Sequence, residues 1–192
     1  MNKDEKLQIT KDKLMESAFF LMEKLDDPLA VTSREIASRA QVQPAMINYC
    51  FGSRENLLYA TFYKQYLSFL KDKEVDRILS SGKPPKEILK ELHLAVASCL
   101  VDNFKFTQAI SGHVLFKRDL SREAFSLHLV REHYQGRKTE EECKFIAYEL
   151  STLMQLVIYR KDDMKKDFGI DLDDKKVLKH YIDMRIDLLL ED

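Results

Sequence analysis

Apolar residues recur at three- and four-residue intervals throughout the chain, and runs that alternate apolar and polar residues in the strand pattern are absent. That periodicity restricts the fold to packed helices, and the chain is expected to be all-α. Leu14, Ala18, Leu21, Met22 and Leu25 set a first helix that Thr10 would cap, and Asp26-Asp27-Pro28 would end it. The five glycines stand alone at 52, 82, 112, 136 and 169, mostly where helices should stop. A chain of 192 residues with 45% apolar and 33% charged residues has the make-up of a globular protein that buries a sizeable core.

Thr32 to Phe51, TSREIASRAQVQPAMINYCF, reads as two short helices joined by a tight turn. Thr32 with Glu35 three residues on has the form of a capping box. Ile36, Ala37 and Ala40 supply the apolar stripe of the first helix, and Pro44 suits the first turn of the second. Ile47 and Phe51 then form a buried face, while Pro44, Ala45, Asn48 and Tyr49 point away from it. No acidic residue lies between Glu35 and Glu55. A surface that rests against phosphates excludes carboxylates, because each would repel the backbone at short range.

The capped helix, the Ala-x-Val turn, the short helix ending in aromatic-x-Phe and the following Gly-Ser-Arg-Glu-x-Leu-Leu resemble the DNA-binding domain of the tetracycline-repressor (TetR) family. The likeness runs over roughly residues 9 to 60 and is faint beyond. The chain departs from that pattern at four places. Gln41 stands where the turn usually has Gly, Gln43 where the second helix usually has a Ser cap, Asn48 where Tyr is common, and Cys50 where Tyr or His is common. A non-glycine residue at 41 would adopt a left-handed conformation at a cost of about 1–2 kcal/mol.

The resemblance implies a three-helix helix-turn-helix DNA-binding domain at 1–60, its motif at 32–51, followed by a helical-bundle ligand-binding and dimerisation domain at 61–192. The implied function is that of a transcriptional regulator, a repressor in preference to an activator. It would be released from a palindromic double-stranded DNA operator by a small-molecule effector. The expected DNA-contacting residues are Thr32, Ser33, Gln43, Pro44, Ala45, Asn48, Tyr49 and Arg54. Asn48 is suited to an adenine edge, Tyr49 to a phosphate or a thymine methyl. Arg54 and the start of the preceding helix at Thr32-Ser33 are suited to phosphates. The net charge of −1 counts against a broad electrostatic coat for nucleic acid, though not against a small groove-reading surface.

A further helix begins at Ser53 and runs toward Leu79, and Ser80 to Pro85 is the clearest break. Further helices are expected from Pro85 to about Val101, Thr107 to Phe116, Ser121 to Tyr134, Thr139 (capped with Glu142) to Tyr159, and Asp173 to Leu190. Aromatic residues are frequent from 85 to 160. Their plain reading is a helical core, and the functional one is an effector cavity, with Phe104, His113, Phe116, Phe125 and Tyr148 as candidates. The last two long helices are apolar around much of their circumference, which suits a homodimer interface through Leu153, Leu156, Val157, Leu178, Tyr181 and Ile182.

Other chemistry finds no pattern. His128 and His133, five apart, do not share a helical face, and Asp163 to Asp171 carries Lys165 and Phe168 where a calcium loop needs an oxygen ligand and a glycine. No metal site and no cofactor are expected. No glycine cluster, Gly-x-Ser-x-Gly elbow or paired-Cys motif is present, so catalysis is not expected. The rival readings are a small helical enzyme and a helical adaptor that binds only protein. Cys50, Cys99 and Cys143, odd in number and widely spaced, together with a polar amino terminus and no apolar span, suggest a cytoplasmic protein without a membrane partner.

Overall fold

The computed structural model describes residues 2–70, 73–117 and 126–191, and among these every regular element is helical. Two compact units divide the chain, Met1–Phe69 with Gln108–Ile110, and Leu70–Thr107 with Ser111–Asp192.

The first unit opens with α1 (Lys3–Lys24), a 3₁₀ turn at Pro28–Ala30, then α2 (Ser33–Ala40), α3 (Ala45–Phe51) and α4 (Arg54–Leu70). α1 starts seven residues before the expected cap. Asn2 and Glu5 form a reciprocal capping box, each side chain meeting the other's backbone N–H at 2.9 Å. Thr10 lies inside the helix, and its hydroxyl donates to the Lys6 carbonyl one turn back at 2.9 Å. Asp27 caps the 3₁₀ turn by accepting from the Leu29 N–H at 2.8 Å. The unit's core is Leu14, Ala18 and Met22 of α1, Ile36 and Ala37 of α2, Ile47 of α3, and Leu57 and Leu58 of α4, all essentially inaccessible. Lys64 of α4 and Asp12 of α1 are paired across the unit at 2.9 Å.

After α4 follow α5 (Lys73–Leu79), α6 (Pro85–Asp102), α7 (Phe104–Phe116), α8 (Leu127–Tyr134), α9 (Glu140–Tyr159), α10 (Lys161–Phe168) and α11 (Lys175–Leu189), all in the second unit but for Gln108–Ile110 of α7. α6 packs against α5, α8, α9 and α11, and therefore carries the most continuous buried surface: Leu89, Leu92, Val96 and Ala97. Pro85 starts it at a position where a missing N–H costs nothing. The Thr139–Glu142 capping box forms as expected and opens α9. Arg131 of α8 grips Glu140 with two hydrogen bonds at 2.6 and 2.9 Å, which holds that carboxyl's pKa down at about 2. Lys161 is buried between Asp162 and Asp173 at 3.1 and 3.0 Å, with its ammonium 4.4 Å from the centre of the Phe104 ring. The expected helix start near Ser121 lies outside the described residues. No helix among the described residues is long and apolar enough to cross a membrane.

Candidate nucleic-acid interface

α2 begins where Thr32 and Glu35 satisfy one another. The Glu35 carboxylate accepts from the Thr32 N–H at 2.8 Å and from its hydroxyl at 2.7 Å, and the hydroxyl oxygen accepts from the Glu35 N–H at 3.3 Å. The Thr32 hydroxyl and N–H hold the Glu35 carboxyl below its ordinary pKa, so it stays ionised. α2 ends at Gln41, which adopts the left-handed conformation (φ 56°, ψ 43°) that a tight turn imposes here. Its N–H bonds back to the Ser38 carbonyl at 3.2 Å, and the Val42 N–H reaches the Ala37 carbonyl at 3.0 Å.

α3 then starts without a side-chain cap, because Gln43 contributes only its carbonyl, to the Met46 N–H at 2.9 Å. Ile47 anchors the helix in the core. Its opposite face carries Gln43, Pro44, Ala45, Asn48 and Tyr49, all exposed, with Tyr49 at 64%. α3 stops at Gly52, whose φ of 80° favours a residue without a side chain. Asn56 of α4 closes this helix end by donating from Nδ2 to the Phe51 carbonyl at 2.9 Å, a contact the sequence reading passed over. Ser53 caps α4, its hydroxyl oxygen accepting from the Asn56 N–H at 3.1 Å.

The expected residues do not all share one task. Gln43, Pro44, Ala45, Asn48 and Tyr49 come together on a single face free of carboxylates. Thr32 spends its hydroxyl on its own helix cap, and Ser33 beside it is half-buried. Arg54 was expected to point outward to a phosphate. Instead its Nη1 donates to the carbonyls of Leu29 at 2.9 Å and Val31 at 2.7 Å, while Nε bonds Glu55 at 3.1 Å. The guanidinium thus ties the segment ahead of α2 to the start of α4.

Basic groups that periodicity did not single out also lie in this unit. Arg34 is exposed in the first turn of α2. Arg39, in its last turn, lies 3.3 Å from the centre of the Phe20 ring of α1, and the Lys24 ammonium sits 4.0 Å from the same ring. The Lys11 charge offsets part of the rise that burial causes in the Cys50 thiol pKa, which places α1's cation beside α3.

In the second unit the sequence-based assignments need correction. Phe116 is 83% exposed and Tyr148 is also exposed. Phe104 lies against Lys161, His113 is half-buried, and Phe125 falls outside the described residues. A crevice in this unit is lined instead by residues of α6, α9 and α11, and none of these candidates is among them. Of the proposed dimer residues, Leu178 and Ile182 are 2% exposed and belong to the protomer's own core. Leu153, Val157 and Tyr181 are half-buried, and Leu156 is exposed. The outward apolar side chains are Phe145, Tyr148, Leu156 and Tyr159 on α9, and Met184 and Leu188 on α11. Among the described residues there is no group of three or more His, Cys, Asp or Glu placed to hold a metal ion.

Compared with protein-family models, with curated proteins and with solved structures, the chain finds no match in any of the three.

Proposed function

We propose that the chain is a DNA-binding transcriptional regulator resembling the tetracycline-repressor family, acting as a repressor whose hold on a palindromic operator is relieved by a small molecule. The observation that carries the reading is the exposed face of α3. A seven-residue helix is fastened from beneath by Ile47 and shows a carboxylate-free surface with Asn48 and Tyr49 at its centre. An amide beside a phenol on a short helix suits a major groove, where Asn can accept from the N6 amino group of an adenine and donate to its N7. Arg34 and Arg39 supply flanking cations for the phosphate backbone, and α2 with its left-handed exit at Gln41 sets the approach.

The homodimer belongs to the same proposal, with a face corrected by burial. α9 shows Phe145, Tyr148, Leu156 and Tyr159 on the side away from its core residues Ala147, Leu150 and Met154. α11 shows Met184 and Leu188, four residues apart, away from Leu178, Ile182 and Ile186. The two helices are neighbours, the Tyr181 hydroxyl donating to the Leu153 carbonyl at 3.3 Å. Apolar stripes on adjacent helices, left exposed among the described residues, suit a two-fold contact with a second copy. Two copies would set their α3 helices about 34–36 Å apart, one turn of DNA.

A gel-shift with the DNA flanking its own gene tests the reading. A retarded band that survives excess unrelated DNA is expected, and Tyr49→Ala should weaken it. No band at micromolar protein would count against the proposal.

A further inference from the structure

α3 has seven residues, about two turns, and is short enough that its ends decide its shape. The first four N–H groups and last four carbonyls of any helix lack helical partners, which here is most of the backbone. The start of α3 has no side-chain cap. Its last turn is Asn48-Tyr49-Cys50-Phe51, four residues of modest intrinsic helix propensity. That turn carries both side chains at the centre of the exposed face. Ile47 roots the helix just ahead of it, and two contacts close it from beyond. The Gly52 N–H donates to the Asn48 carbonyl at 2.9 Å, and Asn56 Nδ2 donates to the Phe51 carbonyl at 2.9 Å.

Asn56 is itself held. Its backbone N–H donates to the Ser53 hydroxyl oxygen at 3.1 Å, in the first turn of α4. The next two residues, Leu57 and Leu58, are buried and root that turn in the unit's core. Asn56 is exposed, so water can satisfy its amide and the Phe51 carbonyl almost as well as each satisfies the other. The bond therefore adds little to global stability. What it adds is a set geometry between the last turn of α3 and the first turn of α4. Base reading depends on such geometry, because a hydrogen bond weakens beyond about 3.2 Å or below about 120°. A shifted Asn loses the two-bond pattern that distinguishes adenine, whereas phosphate contacts carry no sequence information to lose.

We propose that Asn56 is a positioning residue for base discrimination: by tying the Phe51 carbonyl to α4, it sets the angle at which α3 presents Asn48 and Tyr49. It acts through those two side chains and reads no base itself. The inference rests on the DNA-binding reading and names a residue that tunes its specificity.

The test uses the full chain and a duplex that it selects from a random pool. Fluorescence anisotropy gives the affinity for that duplex, for its single-base variants and for random duplex, and Asn48→Ala identifies the base pair that Asn48 reads. Asn56→Ala should keep the parent's helical circular dichroism, its salt slope and its affinity for random duplex. Its preference at Asn48's base pair should fall roughly fivefold or more, the lower end of what one two-bond base contact contributes. In an Asn48→Ala background the same change should alter that preference by less than about twofold, because the residue it acts through is gone. Asn56→Asp keeps the shape and suits the first turn of α4, where a carboxylate is favoured, but cannot donate. It should fold and lose the same preference, a ratio in which any effect of its charge on overall affinity cancels. Equal discrimination by Asn56→Ala and the parent overturns the proposal. So does a parallel loss on every duplex with a lower unfolding midpoint, which assigns Asn56 to stability alone. An undiminished loss in the Asn48→Ala background overturns it too, since Asn56 would then read the base itself. A parent chain that selects no duplex ends the DNA-binding reading and this inference together, whereas the other three results strike this inference alone.

Discussion

Arg54→Ala separates two tasks that one cation at this position could perform. In the structure its guanidinium donates to the Leu29 and Val31 carbonyls at 2.9 and 2.7 Å. A hydrogen bond from a charged donor contributes about 1.5–3 kcal/mol net. The Leu29 residue is exposed and its carbonyl can turn to water, so its bond is discounted to the bottom of that range or below. Val31 is 1% exposed, and its carbonyl would be left with a poorer partner. The loss should total about 2–3 kcal/mol, a large share of a typical domain stability. With a urea slope of about 1–3 kcal/mol per molar, the midpoint should fall by roughly 1–2 M. Any loss of DNA affinity should follow from the smaller folded population, with the dependence on log salt unchanged. A phosphate contact predicts the reverse, because it contributes a slope of about 0.9 and no stability. An unchanged midpoint with a salt slope reduced by about one would refute the structural role given to Arg54.

Four further outcomes are expected. Gln41→Gly should stabilise the first unit by about 0.5–1 kcal/mol, the relief of a left-handed non-glycine residue less the entropy glycine adds to the unfolded chain, read as a higher melting temperature by circular dichroism. Asn48→Ala should relax preference at one base pair and leave the others unchanged, whereas Tyr49→Ala should weaken binding to most sequences alike, as competition with single-base variants of the operator would reveal. Met184→Asp and Leu188→Asp should give a folded monomer by light scattering, while Leu178→Asp, at a position 2% exposed, should fail to fold. Glu140 has its folded pKa lowered from 4.5 to about 2, so the stability from its pairing with Arg131 is present above 4.5 and is lost as pH falls toward 2. Acid titration of Glu140→Gln should therefore show a flatter loss of stability across that window, and an identical curve would contradict it.

What was legible in the sequence was local. The Thr32–Glu35 and Thr139–Glu142 boxes need only two residues three apart, and both form. The left-handed turn at Gln41 followed from the resemblance, which has a glycine at that position of the turn, and Gln41 adopts it. The same box at Asn2 and Glu5 was equally visible, yet the polar start of the chain drew the helix boundary to Thr10, whose hydroxyl bonds within the helix instead. Contacts that span the chain were not legible. Arg54 reaches carbonyls 23 and 25 residues back, and nothing in its neighbours shows that its charge is already engaged. In α11 two faces are apolar, and composition does not tell which turns inward. Packing against α6 buries Leu178, Ile182 and Ile186 and leaves Met184 and Leu188 outside. The crevice escaped for the same reason, since His93, Leu150 and Arg185 come from three helices far apart in sequence.

The central claim is that the outward face of α3 reads DNA as one half of a two-fold pair. Selection of binding sites from a random double-stranded pool by the purified chain, followed by fluorescence anisotropy on the winner, tests it most directly. The account predicts an inverted repeat with half-sites about 10 base pairs apart centre to centre, or a multiple of that, bound near 10⁻⁸ M or tighter at physiological salt. Tyr49→Ala should bind the winner more weakly. A pool that never converges, or a winner bound no better than random duplex, would contradict it.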